Sequence, residues 1–313
     1  MNGVVIIDKP KGITSHGMVK RVKKALGVQR AGHVGTLDPL ATGVLPVCLN
    51  EGTKLAPFFS NSKKEYRATM ILGLETDTYD VEGKILSRRE ISLSRREIED
   101  TLLSFQGVRR QIVPPYSAVK HHGVPLYRWT RRGFNLPPLD REVEIYEIEL
   151  LNVHLPYVTF RVSCSKGTYI RSLCKEIGEV LGCGAVLCEL RRLRSGNFSE
   201  DMALVLPENS SEAREAILAS GIISLVDALP ELPQIEIEIT LAKKIRQGHQ
   251  PEVQELYSYH IPFLEKGDMV KFIYSKELVA LAEMLYPSSD FRDLVSHTRV
   301  VKLLRVFKER NNN

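Results

Sequence analysis

Residues 32–47 hold one carboxylate, Asp38, among three glycines and two prolines, with no other charge save one that His33 could carry. Glycine and proline fix a backbone path that most residues would resist. An acid held on such a path is either a turn aspartate before Pro39, since Asp-Pro is a common turn signal, or a placed reactive group. The chemistry open to one acid is narrow. Glycoside hydrolysis usually uses two carboxylates. A hydrolytic triad needs a Ser or Cys nucleophile with a positioned His. The chain has no nucleophile elbow and no phosphate-binding glycine loop of the P-loop or dinucleotide type. Cys183 and Cys188 are five apart, but no second pair follows at zinc spacing. His121 and His122 sit in a basic stretch without acids, so no metal and no cofactor is expected. What remains is a solitary aspartate able to attack as a nucleophile.

The charge around this segment is uneven. The chain of 313 residues carries a net +5. Residues 1–40 carry +5, residues 108–134 carry +6 without a single acid, and residues 161–198 carry +4. The remainder is therefore at −10. Any single charge run is usually a solvated face. Three acid-poor windows together form the footprint of a polyanion-binding surface. The five cysteines are odd in number and irregularly spaced, which argues against a disulfide framework and for a reducing cytoplasm. No apolar run approaches the ~18 residues a membrane helix needs. The amino terminus lacks the long apolar stretch of a secretory signal.

The elements that must position Asp38 are readable in part. Residues 1–10 read as a short strand ending in a Lys-Pro turn. Thr14 and Ser15 can cap a helix whose apolar stripe is Met18, Val19, Val22 and Leu26, with Gly27 as its stop. Its other face shows Lys20, Arg21, Lys23 and Lys24, suited to lie along a phosphate backbone. Residues 65–74 alternate as a strand. Ser94 with Glu97 forms a capping box for a helix to Phe105. Pro114 and Pro115 open an irregular basic loop through Arg132. Residues 143–153 and 157–163 suggest an antiparallel ladder. Residues 169–181 return to helical period, and 186–192 read as a buried strand or helix end. An acidic, helix-forming stretch covers 199–222, and Pro230 and Pro233 mark a boundary. Beyond it, short alternating segments at 235–239, 268–274, 278–282 and 300–306 suggest a small barrel. The chain ends in a polar run of three asparagines.

Seven blocks in register carry a resemblance to a known family. They are Asp8 to Ser15, the Gly32–Val47 segment, Lys64 to Arg67 with Leu72-Gly73, and Thr76 to Asp80 with Gly83. Pro114 to Lys120, Ser165 to Leu173, and Leu190 to Leu193 complete the set. In this order they resemble the tRNA pseudouridine-55 synthase (TruB-type) family across roughly residues 3–198. A short motif alone is weak evidence, and seven in order are strong. The carboxy-terminal segment more loosely resembles a PUA domain.

The resemblance implies an α+β fold, with a mixed, largely antiparallel sheet around a central cleft. It implies a catalytic domain over 1–230 and a PUA-like RNA-binding β-barrel over 231–313. It further implies isomerisation of a uridine in the T-arm of tRNA to pseudouridine, with the base flipped out of its stack. Asp38 would be the catalytic acid, Arg171 the guanidinium that keeps it ionised and aimed through bidentate bonds, and Tyr66 the active-site tyrosine. His33 would lie near the flipped base, Tyr169 and Leu190 would line the uracil pocket, and Asp80 would order the site. Lys9, Lys64, Lys20, Lys120 and Arg131 are candidates for phosphate contact. Two other readings compete. One is a guide-RNA-dependent synthase of the dyskerin type, whose motif is enclosed by extra terminal segments. The other is a non-catalytic RNA-binding protein. The early first motif favours a stand-alone, monomeric enzyme needing no guide RNA or protein partner, and intact Asp38, Tyr66 and Arg171 favour catalysis.

Overall fold

A computed structural model describes residues 1–134, 137 and 139–309. The Asn311 to Asn313 tail lies outside them. Strand Gly3–Lys9 is apolar on both faces and almost wholly buried, as a central strand must be. It pairs antiparallel with Thr42–Leu49, which leads away from the Asp38 loop. The main sheet runs in the order Leu204–Val205, Gly3–Lys9, Thr42–Leu49, Ala185–Ser195, Lys64–Leu72, Tyr157–Cys164, Asp140–His154 and Gly107–Ile112. Two of its pairings are parallel, Gly3–Lys9 with Leu204–Val205 and Thr42–Leu49 with Ala185–Ser195. The others along this path are antiparallel, so the sheet is mixed and largely antiparallel as expected.

Helix Ser15–Leu26 is capped by the Thr14 hydroxyl, which accepts from the Gly17 amide, and it stops at Gly27 in the left-handed conformation. Its Met18, Val19 and Val22 stripe packs on Val5, Ile7 and Leu45 of the sheet, leaving Lys20, Lys23 and Lys24 exposed. Helix Arg95–Leu103 carries the Ser94–Glu97 capping box. Helix Ile170–Val180 packs Leu173 and Ile177 into a second core, shared with Met70 and Phe160. Its amino terminus points its second residue, Arg171, at the Asp38 loop.

Two expectations need correction. The basic stretch after Pro114 is not irregular throughout: Lys120–His121 and Val124–Pro125 pair as a small hairpin, and Leu126–Arg131 is helical. The acidic 199–222 stretch is helical only at Ser210–Ser220 and in a short 3-10 turn. The carboxy-terminal unit shows a four-stranded sheet in the order Gln234–Glu236, Met269–Tyr274, Glu277–Met284 and Val301–Val306. Helix Ile239–Arg246 covers one side of it. Among the described residues no ladder joins its first and last strands. Ile273, Leu278, Leu281 and Phe307 of this unit share a core with Val4, Ile6 and Phe59. The unit is thus packed on the main sheet by apolar burial, the dominant favourable term in such contacts.

Among the described residues no helix is long and apolar enough to cross a membrane. Four of the five cysteines are buried and all five are free. Burial pushes the Cys48 thiol up to about 12 and the Cys164 thiol to about 11, as fits small apolar core residues.

Candidate active site

The Asp38 loop is pinned from beneath. The Ser15 hydroxyl accepts from the Leu37 amide at 2.8 Å and donates to the Leu37 carbonyl at 2.9 Å. The Gly12 amide donates to the Pro39 carbonyl at 2.8 Å. Lys9 is fully buried, and its ammonium donates to the carbonyls of Pro10, Ile13 and Pro39. Asp38 is thereby held at the rim of a cavity of about 280 Å³.

Helix Ile170–Val180 delivers the partner. Arg171 Nε donates to Asp38 Oδ2 at 2.9 Å. Its Nη1 donates to the Thr78 carbonyl at 3.0 Å and its Nη2 to the Tyr116 carbonyl at 3.1 Å. The expected bidentate clamp is therefore a single bond to the acid, because the other two nitrogens are anchored on loop backbone. Asp80 Oδ2 lies 3.7 Å from the same Nε. Asp80 is itself fixed by the Thr78 hydroxyl at 2.6 Å and the Glu82 amide at 3.0 Å. The Arg171 side chain is 5 % exposed and that of Asp38 is 38 % exposed. The guanidinium is thus sealed in the protein while the carboxylate can meet a ligand.

Tyr66 projects from strand Lys64–Leu72 into the cavity and is buried. Burial pushes its phenol up, opposed by the Arg192 guanidinium beside it. Tyr169 caps helix Ile170–Val180, and Gln111 holds it there: its side-chain oxygen accepts from the Tyr169 amide at 2.7 Å and its amide donates to the Tyr169 carbonyl at 3.1 Å. Leu190 closes the apolar side. Asp38, Tyr66, Arg171, Tyr169 and Leu190 therefore share one cavity, and Asp80 stands just behind it.

Three expected residues are placed differently: His33 and Lys9 do not line the cavity, and Lys64 lines it with its ammonium turned onto backbone. His33 is on the short strand Ala31–His33 and is not among the residues lining the cavity. Its Nδ1 is buried without a partner, and burial, with Arg192 and His16 nearby, pushes its pKa down. Lys9 and Lys64 do not offer a charge to phosphate. Lys64 is 6 % exposed and its ammonium donates to the carbonyls of Ser60 and Ser62 at 2.9 and 2.5 Å. Burial lowers both lysines to about 8. Each braces a loop. Lys20, Lys120 and Arg131, by contrast, are exposed. Sequence reasoning placed Ser15 only as a candidate helix cap and assigned Gln111 and Arg192 no role at the site; Ser15 and Arg192 lay inside the motif blocks, whereas nothing around Gln111 marks it. Among the described residues no group of three or more His, Cys, Asp or Glu gathers as for a metal.

Comparison with known proteins places this geometry. Residues 23–170 match the model for the TruB family pseudouridylate synthase (N terminal domain), and residues 171–212 match that for the tRNA pseudouridylate synthase B C-terminal domain. The fold and its cleft are those of a pseudouridylate synthase, an isomerase. A tRNA pseudouridine synthase B from Syntrophus aciditrophicus is 49 % identical over 99 % of this chain and 100 % of its own length. That from Geobacter sulfurreducens is 41 % identical over 98 % and 100 %. The chain belongs to the TruB family. Among solved structures it is similar to a chain of a Cbf5-Nop10-Gar1 complex, with TM-score 0.71 and 30 % identity over 99 % of this chain and 86 % of that one. A chain of an H/ACA RNP bound to a substrate RNA containing 2'-deoxyuridine is 28 % identical at the same TM-score and coverage.

Proposed function

We propose that this protein converts the uridine at position 55, in the T-arm of tRNA, to pseudouridine. The N1–C1′ bond of the nucleoside breaks, the detached uracil turns in the cavity, and C5 bonds to C1′. The C5 proton leaves and N1 gains one, so the product is an isomer and no outside reagent is consumed. Asp38 supplies the carboxylate that starts the cleavage. Arg171 aims it, its Nε donating to the carboxylate while its other two nitrogens are fixed on backbone. Asp80 steadies Arg171. Tyr66 stacks on the base with its hydroxyl near the proton to be moved, and Tyr169 and Leu190 bound the pocket. A base inside a stem-loop must be extruded to reach such a cavity.

The observation that carries this reading is the pairing of a sealed Arg171 with an open Asp38 at the mouth of one cavity. The exposed Lys20, Lys23, Lys24, Lys120 and Arg131 supply the positive surface that a folded RNA requires. Residues 1–230 form the catalytic part in this reading, and residues 231–313 a PUA-like RNA-binding part. The enzyme works as a cytoplasmic monomer, without guide RNA or protein partner. Identity of 41–49 % to tRNA pseudouridine synthase B relatives, against 28–30 % to chains of the H/ACA complexes, supports that choice.

The test is incubation of the purified protein with an unmodified tRNA transcript and with a T-arm fragment, the product being mapped by mass-tagging of pseudouridine. Conversion at position 55 with no added factor is expected. Asp38→Asn is expected to abolish turnover while leaving tRNA affinity within about a few-fold, the pattern for a group that acts in chemistry rather than binding. Normal turnover by that variant, or no conversion of either RNA, refutes the reading.

A further inference from the structure

Arg192 is fully buried and lies in the cavity wall. Its Nε donates to the Val44 carbonyl at 2.7 Å and its Nη2 to the Gly35 carbonyl at 3.0 Å. Among the described residues no carboxylate forms an ion pair with it, although Arg171, across the same cavity, has two acids within 4 Å. A cation taken out of water without a counter-charge is costly. Two carbonyl bonds do not require one, since a neutral amide could serve them.

What Arg192 faces is set by strand register. It lies directly opposite Tyr66 on the antiparallel pairing of Ala185–Ser195 with Lys64–Leu72. Directly opposed residues on such strands point to the same side of the sheet and interact. The register slips just beyond, between Arg192 and Arg194, and Gly43 lets the Thr42–Leu49 backbone close on this point. A Cβ there would lie 2.3 Å from the Arg192 carbonyl oxygen. A Cβ on Gly35 would lie 3.1 Å from Arg192 Nη1. Gly43 thus clears the Arg192 backbone and Gly35 borders its guanidinium, on the side of the sheet that carries Tyr66.

A guanidinium only donates hydrogen bonds. The only hydrogen-bond acceptor Tyr66 can offer it is the phenol oxygen. A guanidinium donating to that oxygen from the Arg192 side would leave the phenol O–H to point forward, into the cavity that holds Asp38. The charge also opposes the upward push of burial on this phenol.

We infer that Arg192 is a positioning residue for Tyr66, fixing the phenol oxygen so that its O–H is presented to the base in the Asp38 cavity. The inference rests on the pseudouridylation reading. It is tested by a double-mutant cycle in single-turnover pseudouridine formation, with Arg192→Gln and Tyr66→Phe made singly and together. Melting temperature and tRNA affinity are measured in parallel. In the presence of Tyr66, Arg192→Gln should slow the reaction on the order of 100-fold, and in the Tyr66→Phe background by no more than about 3-fold, since coupled residues are non-additive. Arg192→Lys keeps a cationic donor and should recover about 10-fold of the loss only when Tyr66 is present. Equal losses in both backgrounds would show a structural arginine and overturn the inference. If the Gln variant does not fold, the Lys variant runs the same cycle with the same criterion. Failure of the wild-type enzyme to modify tRNA would instead refute the functional reading, an outcome distinct from an additive cycle.

Discussion

Arg171 reaches Asp38 through one nitrogen alone, Nε at 2.9 Å, while Nη1 and Nη2 are held by the Thr78 and Tyr116 carbonyls. The arginine is therefore a three-way tie: it joins the Asp38 loop, the Asp80 loop and the segment after Pro115 at the cavity mouth. Lysine carries the charge but not the planar fork. Arg171→Lys should lower the rate of pseudouridine formation by about 10²-fold, the scale expected when a reacting group is displaced by an ångström. Binding of tRNA should change by less than about 5-fold, because the phosphate-facing charges are elsewhere. A Lys variant with near-normal rate would show that charge, not geometry, is what Asp38 needs.

The lysines divide into two kinds, and salt separates them. Lys20 and Lys24 are exposed on the outer face of helix Ser15–Leu26. Replacing both with Gln should reduce the slope of log K against log salt by about 1 to 2, as when one or two phosphate contacts are lost. Lys64→Met should leave that slope unchanged. It should instead lower stability by about 1 kcal/mol, because the part-buried bonds to the Ser60 and Ser62 carbonyls are lost. A reduced slope for Lys64→Met would restore it as a phosphate contact.

Gly43 gives a third test. Its φ is +96°, and an added Cβ would lie 2.3 Å from the Arg192 carbonyl oxygen, a backbone atom that cannot swing aside. Gly43→Ala should cost about 1–3 kcal/mol from overpacking and backbone strain. Strand Thr42–Leu49 begins directly after the Asp38 loop, so the rate should fall as well as the melting temperature. Melts and single-turnover rates on the same preparation check both, and an unchanged melting temperature would contradict the close approach.

Much of this site was legible because its local signals are strong. The glycines and prolines around Asp38, and the block around Arg171, are dense enough to mark a loop and a helix start without any knowledge of their contacts. The ladder at Tyr157–Cys164 and the capping box at Ser94 followed from alternation and spacing in the same way. What stayed hidden depends on pairing between distant segments. Lysines 9 and 64 read as cations for phosphate, since composition shows a charge but not the carbonyls that enclose it. The pairing of Tyr66 with Arg192 exists only because residues 185–195 lie beside residues 64–72, a neighbour relation that no local pattern encodes. Gln111 carries no signal at all, because its partner is the backbone of Tyr169, 58 residues away. The carboxy-terminal strands were found, but the way their ladders join depends on partners far along the chain.

The carboxy-terminal unit has its own acid-labile tie. Glu255 follows the capping residue Glu252 of the short helix Val253–Leu256. Its carboxylate accepts from Lys244 at 2.9 Å and from the Glu252 amide at 3.1 Å, and it pairs with His249 at 2.5 Å. Burial pushes this carboxyl up, yet these donors outweigh burial and hold it at about 2, below its ordinary 4.5. A carboxyl whose folded pKa is depressed binds its proton more readily in the unfolded chain. Its stabilising contribution is therefore full above pH 4.5 and is lost as pH falls toward 2. Glu255→Gln should melt below the wild type at pH 7, and the gap should narrow through that window. Because helix Ile239–Arg246 carries Lys244 and covers the four-stranded sheet, the loss should appear in melting of this unit while the rate of pseudouridine formation at 25 °C stays within about 3-fold, as for a change far from the reacting groups. A gap that stays constant from pH 7 to pH 2 would show that the carboxylate is not held by these donors.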